Sequence, residues 1–389
     1  MNSIAVPFIP GDGIGPETIR VARMVLDSAV AATEGASAAL AWEELPAGAT
    51  AHAATGEWLP MSTLARIREA GVALKGPLCT PVGGGIRSLN VLLRQSLGLY
   101  ASVRPVRYFP GVPSPVKHPE RMDMVIFREN TEDVYKGLEW MRGSPELTRI
   151  RGTLKEGFGL DIGDDSGLGL KPMSESASKR LIRASIEYAI RSGRRSVTMV
   201  HKGNIMKFTE GAFRDWGYEL ALSEFRDAVV TEGELTRGID RAGRLLVNDR
   251  IADNMFQQIL TRPEDYSVLA APNLNGDYLA DACAAQVGGL GLAPGANIGD
   301  GVAVFEPVHG TAPKYAGRDL ANPCASILSG AMMLEHIGLG KAAQVVVDSA
   351  ASVLRQGLMT WDLARQTDGG KHVGTKRFGE AVVSEIERY

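Results

Sequence analysis

The sequence is short of several things, and each shortage excludes a class of protein. Cys79, Cys283 and Cys324 are the only cysteines in 389 residues, too few and too scattered for a disulfide framework or a cysteine metal knuckle. Neither sign of charge dominates: the formal net charge is −3, so no global basic field points to nucleic acid. Long apolar runs are missing too. The longest uncharged stretch, Ala282 to Gly299, is broken by glycines, a proline, an asparagine and a glutamine. It makes a poor membrane span and reads better as a buried strand with glycine turns. "MNSIAVPFIPGDG" has neither the basic n-region nor the long apolar h-region of a secretory leader, and it lacks the Arg-rich pattern of a transit peptide. These shortages describe a reduced, cytoplasmic chain. What remains is ordinary globular composition, 44% hydrophobic and 22% charged, at a length that favours two domains.

Short apolar runs alternate with helical patterns: "SIAVPFI" then "ETIRVARMVLDSAV", "GVALKGP" then "LNVLLRQSLGLY", "DYSVLAAPN" then "LADACAAQVGGL". The alternation predicts an α/β architecture with helices packed over a sheet. Between the first strand and helix lies "PGDGIGPE", with glycines at 11, 13 and 15. A dinucleotide fingerprint needs its third glycine one residue later, where Pro16 stands. The run therefore reads as a strand-to-helix turn, with a phosphate cradle the lesser reading. Residues 141–171 break the rhythm without clear helical periodicity, as a solvated excursion or as an arm that pairs with a second subunit.

Three blocks carry candidate chemistry. Ser88, Asn90 and Arg94 share a helical face, and Arg104 and Arg128 follow in extended, apolar surroundings. One arginine is most often a solvated ion-pair partner. Several beside strands suggest a multiply charged anion, because the planar guanidinium binds carboxylate in bidentate fashion. In "NLNGDYLADACAAQ", Asp277 and Asp281 stand one helical turn apart. They are either an acidic pair at a helix start or two hard oxygen ligands for Mg²⁺ or Mn²⁺. Asp253 is a third candidate carboxylate. Finally, "HGTAPKYAGR" from His309 gathers Lys314, Tyr315 and Arg318, either an adenosine-phosphate site or an ordinary surface loop.

Together, "IPGDGIGPE", "VGGGIRSLNVLLRQ", "MVIFRENTEDVY", "HKGNIMKFTEG", "NLNGDY" and "HGTAPKYAG" resemble the β-decarboxylating dehydrogenase family, which holds isocitrate and 3-isopropylmalate dehydrogenases. Within it, the likeness is to the bacterial-type, homodimeric, NADP-dependent isocitrate dehydrogenases. The resemblance implies a two-domain α/β fold that is not a Rossmann fold. Residues 1–99 and 288–389 would form the large domain with most of the NADP site. Residues 100–132 and 175–287 would form the small domain, and 133–174 an intersubunit clasp. It implies that Ser88 and Asn90 hold the γ-carboxylate of isocitrate and that Arg94, Arg104 and Arg128 hold the other carboxylates. Isopropylmalate enzymes carry Glu and Leu in place of the Ser88/Asn90 pair. Asp277 and Asp281 would bind Mg²⁺ or Mn²⁺ with Asp253 of the other subunit. Lys202, also from the other subunit, would assist removal of the hydroxyl proton, and Tyr135 would protonate C3.

For the cofactor, the resemblance implies NADP on Thr80, His309, Gly310, Thr311, Ala312, Lys314, Tyr315, Asn322, Trp361 and Arg365, with Arg262 from the neighbouring subunit. NAD-using relatives carry Asp at the position of Lys314, where it accepts from the ribose 2′-hydroxyl and repels a 2′-phosphate. The chain departs from the enteric-type pattern at Trp361, Ala321 and Cys79, where those enzymes have Tyr, Val and Thr. The Cys79 change leaves open an isocitrate analogue with another γ-group, such as a phosphonate. A non-catalytic regulatory subunit is the third reading, and it expects losses among Tyr135, Lys202, Asp253, Asp277 and Asp281 that are not found. Ser88 sits where some relatives are switched off by phosphorylation, which would repel the γ-carboxylate.

Overall fold

The computed structural model describes residues 2–79, 88–367 and 371–389. Among them, eleven strands form one mixed sheet. Four strands are parallel along one half: β1 (Asn2–Ile9), β2 (Ala38–Glu44), β3 (Val72–Lys75) and, late in the chain, β13 (Val302–Pro307). At the centre, β12 (Pro294–Gly299) runs antiparallel to both β13 and β4 (Ala101–Arg107), and β4 runs antiparallel to β5 (Asp123–Glu129). The other half is parallel again, with β11 (Val268–Ala271) beside β5, then β8 (Ser196–His201), β10 (Leu245–Ile251) and β9 (Val229–Thr231). An antiparallel centre between two parallel blocks is not the order of a Rossmann sheet. A separate two-stranded ribbon joins β6 (Glu139–Trp140) to β7 (Leu168–Gly169).

Both faces of the sheet are covered, as its parallel blocks require. One core takes in Val125 and Phe127 of β5 and Ala303 and Phe305 of β13. Over it pack α1 (Gly15–Glu34), α6 (Glu175–Arg191), α7 (Glu210–Glu224), α11 (Cys324–His336), α12 (Gly340–Arg355) and α14 (Thr375–Ile386). The opposite face has two separate cores. One packs α9 (Ala252–Thr261) and α10 (Asn273–Gln286) on Met124 and Ile126; the other packs α3 (Met61–Ala70) and α4 (Leu89–Ser96) on Ile9 and Val304. The remaining helices are short or peripheral: α2 (Gly48–Thr55), α5 (Pro145–Phe158), α8 (Glu232–Thr236) and α13 (Trp361–Ala364).

The turn after β1 is structural. Gly11 and Gly13 have φ of +82° and +59°, open to glycine at little cost. A Cβ on Gly13 would lie 2.0 Å from the carbonyl oxygen of Thr311, and one on Gly11 would lie 2.5 Å from that of Pro77. Asp12 between them accepts the backbone N–H groups of Ala49 and Cys79 at 2.9 and 2.7 Å. The glycines are thus occupied by protein backbone and leave no cradle for phosphate.

Residues 141–171 depart from the aperiodic reading, because α5 occupies their middle. Ser144 caps it by accepting from the Leu147 N–H, Pro145 starts it, and Gly159 ends it in a left-handed turn. Leu147 is its one buried residue, so no apolar stripe announced the helix. The 282–299 stretch divides between the end of α10, a turn through Gly288 and Gly289, and buried β12, much as read. The described residues contain no helix long and apolar enough to cross a membrane.

Candidate functional site

Strand parity builds the site. Side chains alternate between faces, and Val72, Val103, Phe127, Ala296 and Phe305 all point into the shared core. Lys75, Arg104, Arg128, Asn297 and Glu306 stand an odd number of residues from them, so they face the other side. There they fall in the gap between the α9/α10 core and the α3/α4 core. All five are buried, and a buried charge must be paired.

Glu306 is the centre of the first group. Its Oε2 lies 2.5 Å from Lys75 Nζ, and its Oε1 accepts from Arg94 at 2.8 Å and Asn297 at 2.7 Å. Lys75 also donates to Asn90 Oδ1 at 3.0 Å. Asn90 and Arg94, one turn apart on α4, therefore reach the same charges. Burial alone would raise the Glu306 pKa, but Lys75 and Arg94 outweigh it and hold the carboxyl well below its ordinary range.

Asp277 is the centre of the second group. Its carboxylate is bridged by Arg128 and lies 3.3 Å from Arg104 Nη1, and Tyr135 donates to its Oδ2 at 2.5 Å. Asp281, one turn on, is 3.6 Å from Arg104. Gly276 makes this fit possible, since a Cβ there would lie 2.7 Å from Arg128 Cβ. The helix is also tied by Asn273 Oδ1, which accepts from Arg128 Nε at 2.9 Å. The two acids are pushed apart in acidity. Burial works against both, but Arg128, Arg104 and Tyr135 lower Asp277, whereas burial prevails at Asp281 and raises it. Burial and the bond to Asp277 raise the Tyr135 phenol, so it is a protonated donor. The helix starts at Asn273, four residues before Asp277, which removes the reading of the two acids as a pair at its first turn.

Two polar atoms beside these groups are buried without a partner: Arg94 Nε and His309 Nε2. Both residues line a cavity with Asn90, Arg104, Asn297 and Glu306. Buried polar groups are ordinarily paired, which marks this cavity as a candidate binding site. Ser88 caps α4 at the edge of this region without a side-chain bond to the helix.

The loop from His309 is spread over the turn of Gly13, whose neighbour Ile14 donates its N–H to the Thr311 carbonyl at 2.9 Å. Lys314 Nζ is 4.8 Å from the Tyr315 ring centroid, Tyr315 lies 5.3 Å from Trp361, and Arg365 sits 4.7 Å over Trp361. Two cations thus flank two rings. Ala312 adopts a left-handed φ of +38°. Asn322 donates to Asp362 Oδ2 at 3.1 Å beside Trp361, and Ala321 is buried next to it.

Lys202 and Asp253 stand elsewhere. They pair with each other at 2.5 Å, half-exposed and exposed respectively, and the described residues of one chain contain no cluster of three metal-ligating acids, histidines or cysteines. Arg262 is exposed just past α9, and Thr80 lies outside the described residues. Reading the sequence missed Lys75 and Glu306. Each stands at or next to the end of an apolar strand, "VALK" and "VAVFEP", and that misplaced charge was the available signal.

The chain matches the isocitrate/isopropylmalate dehydrogenase family over residues 5–382, and it belongs to that family. The particular relatives narrow the class. It is 56% identical to an NADP isocitrate dehydrogenase of Archaeoglobus fulgidus, over 98% of this chain and 92% of the relative. It is 52% identical to the Haloferax volcanii enzyme of the same name, over 98% and 92% of the two chains. Among solved structures it resembles isocitrate dehydrogenase from Methylococcus capsulatus, with a TM-score of 0.82, 37% identity, and coverage of 98% and 99%.

Proposed function

We propose that this chain is an NADP-dependent oxidoreductase that converts isocitrate to 2-oxoglutarate and CO₂ with a divalent metal, Mg²⁺ or Mn²⁺. The observation that carries the reading is the charge of the two groups. Lys75, Arg94, Arg104 and Arg128 face Glu306, Asp277 and Asp281, leaving one positive charge. A divalent cation raises the surplus to three, the charge of a tricarboxylate.

Ser88 and Asn90 take the γ-carboxylate, and Arg94, Arg104 and Arg128 take the others in place of their present partners. Asp277 and Asp281 offer hard oxygen donors to the metal, with the partner subunit supplying a third at Asp253. When bound, that ion would supply Lewis acidity, stabilising negative charge that develops on the substrate. Lys202 of the partner subunit assists removal of the hydroxyl proton. Tyr135, kept protonated, returns a proton to C3. NADP would be held by the His309–Tyr315 loop and by Thr80. Lys314, Tyr315, Trp361 and Arg365, with Arg262 from the other subunit, would supply the contacts for its 2′-phosphate, and His309, Gly310, Thr311, Ala312 and Asn322 would complete the cofactor site.

The working form is a cytoplasmic homodimer. Its support is that Asp253, paired with Lys202, forms no acid cluster with Asp277 and Asp281 among the described residues of one chain, together with exposed apolar side chains. Leu260 and Tyr278 are 58% and 57% exposed on α9 and α10, and Met141 and Phe158 are 78% and 73% exposed in the 133–174 clasp. In this reading residues 1–99 and 288–389 form the large domain, 100–132 and 175–287 the small domain, and 133–174 the clasp. The test is NADPH formation by purified protein with Mg²⁺ and isocitrate, with NAD, isopropylmalate and a γ-phosphonate analogue in parallel. Turnover that prefers isocitrate and NADP supports the reading. Better turnover of an analogue removes the γ-pocket assignment.

A further inference from the structure

One buried carboxylate ties together two parts of the chain that serve different jobs. Glu210 opens α7 and is 1% exposed. Its Oε2 accepts from the Lys202 backbone N–H at 2.5 Å and from Asn275 Nδ2 at 2.8 Å. Asn275 stands on α10, two residues before Asp277. The other oxygen, Oε1, lies 2.8 Å from Lys171 Nζ, and that ammonium meets Asp133 Oδ1 at 2.5 Å. Asp133, in a left-handed φ of +66°, accepts the Leu274 N–H at 2.9 Å through Oδ2. It also precedes Tyr135 by two residues. The network therefore joins the start of α10 to the backbone of Lys202 through consecutive hydrogen bonds and ion pairs.

We propose that Glu210 is a positioning residue shared by both active sites of the dimer: through Lys202 it sets the partner's site, and through Asn275 it sets its own. The inference rests on the shared-site reading above. Only a carboxylate satisfies this geometry. Two N–H donors converge on one oxygen while an ammonium forms an ion pair with the other, so neither end can present N–H groups. A glutamine would turn an NH₂ toward Lys171 or toward the two donors. The bonds are charge-assisted and shielded from water, which makes them stiff. Burial disfavours the Lys171 ammonium, but the two carboxylates outweigh it and raise its pKa above the ordinary lysine value. The lysine therefore stays charged while the enzyme works.

Hybrid dimers with one working site test this. Co-expression of Asp277→Asn and Lys202→Met chains first tests site sharing. Activity recovered from two inactive parents means that sites are shared. No recovery removes the shared-site reading, and this inference with it. Next, a wild-type chain is paired with an Asp277→Asn chain, and Glu210→Gln is placed on one chain or the other. The expected result is a kcat loss of about 10-fold in both placements, the scale seen for residues that orient ligating groups. The KM for isocitrate should change far less, and the melting temperature should not explain the loss. Full kcat in either placement overturns the proposal. If Glu210→Gln chains do not yield dimers, Asn275→Leu replaces it, breaking only the α10 arm. That variant should lower kcat strongly on the chain that supplies Asp277 and much less on the other. Equal losses, or none, overturn the proposal.

Discussion

Replacing Lys75 by methionine removes a buried ammonium while keeping most of its volume. Glu306 would keep Arg94 and Asn297 on Oε1, at 2.8 and 2.7 Å, but Oε2 would lose its partner at 2.5 Å. Breaking a fully buried pair costs ~3–5 kcal/mol. Because one oxygen stays satisfied, the loss should fall near the lower end, about 3 kcal/mol by the same rule. For a chain this long that corresponds to a melting-temperature drop on the order of 5 °C. The assay is thermal unfolding followed by circular dichroism, at one fixed protein concentration because dimer stability depends on it. The drop should persist at high salt, since a pair with the Lys75 side chain 1% exposed is little screened. Combining Lys75→Met with Glu306→Gln should cost less than the sum of the two singles, by about 1 kcal/mol or more, as directly paired groups do. A single variant as stable as the parent, or strict additivity in the double, would refute the ion pair as an energetic unit.

Other consequences are equally checkable. Gly13→Ala puts a Cβ 2.0 Å from the Thr311 carbonyl oxygen at a φ of +59°, so it should raise the KM for NADP while barely changing that for isocitrate. Lys314→Asp exchanges a cation for an anion beside Tyr315; losing one charge-assisted bond predicts roughly a 10- to 100-fold higher KM for NADP, with NAD use little affected. Tyr135→Phe removes the phenol bonded to Asp277, and kcat should fall by roughly 100-fold, as for loss of a general acid. On pH, the folded-state pKa of Asp277 lies below its ordinary value. The unfolded chain therefore binds its proton first, and the stabilisation present above about pH 4 is lost as pH falls through the folded pKa. Asp277→Asn should flatten the decline in melting temperature on the acid side, and an unchanged decline would contradict that assignment.

Much of this was legible in the chain. The alternation of apolar runs and helical stretches set an α/β sheet, and the glycines after β1 were recognisable as a turn because Pro16 stands where a dinucleotide loop needs glycine. Arg94, Arg104 and Arg128 are legible as an anion site, and Asp277 and Asp281 as a same-face pair, because helical and strand spacing fix which side chains are neighbours. Helix α5 escaped notice because periodicity reports burial, and that helix buries almost nothing. Lys75 and Glu306 escaped notice for a different reason. They are 231 residues apart in sequence, and nothing local says that β3 and β13 lie side by side. Local composition decides which segments become strands or helices and which face each residue takes. Only the order of strands in the sheet decides which faces meet. That order placed four cations and three carboxylates in one gap, gave Glu306 its three partners and left Lys202 paired with Asp253 instead. The physical reason is that charge pairing acts through space at a few ångströms, and the distance along the chain does not measure it.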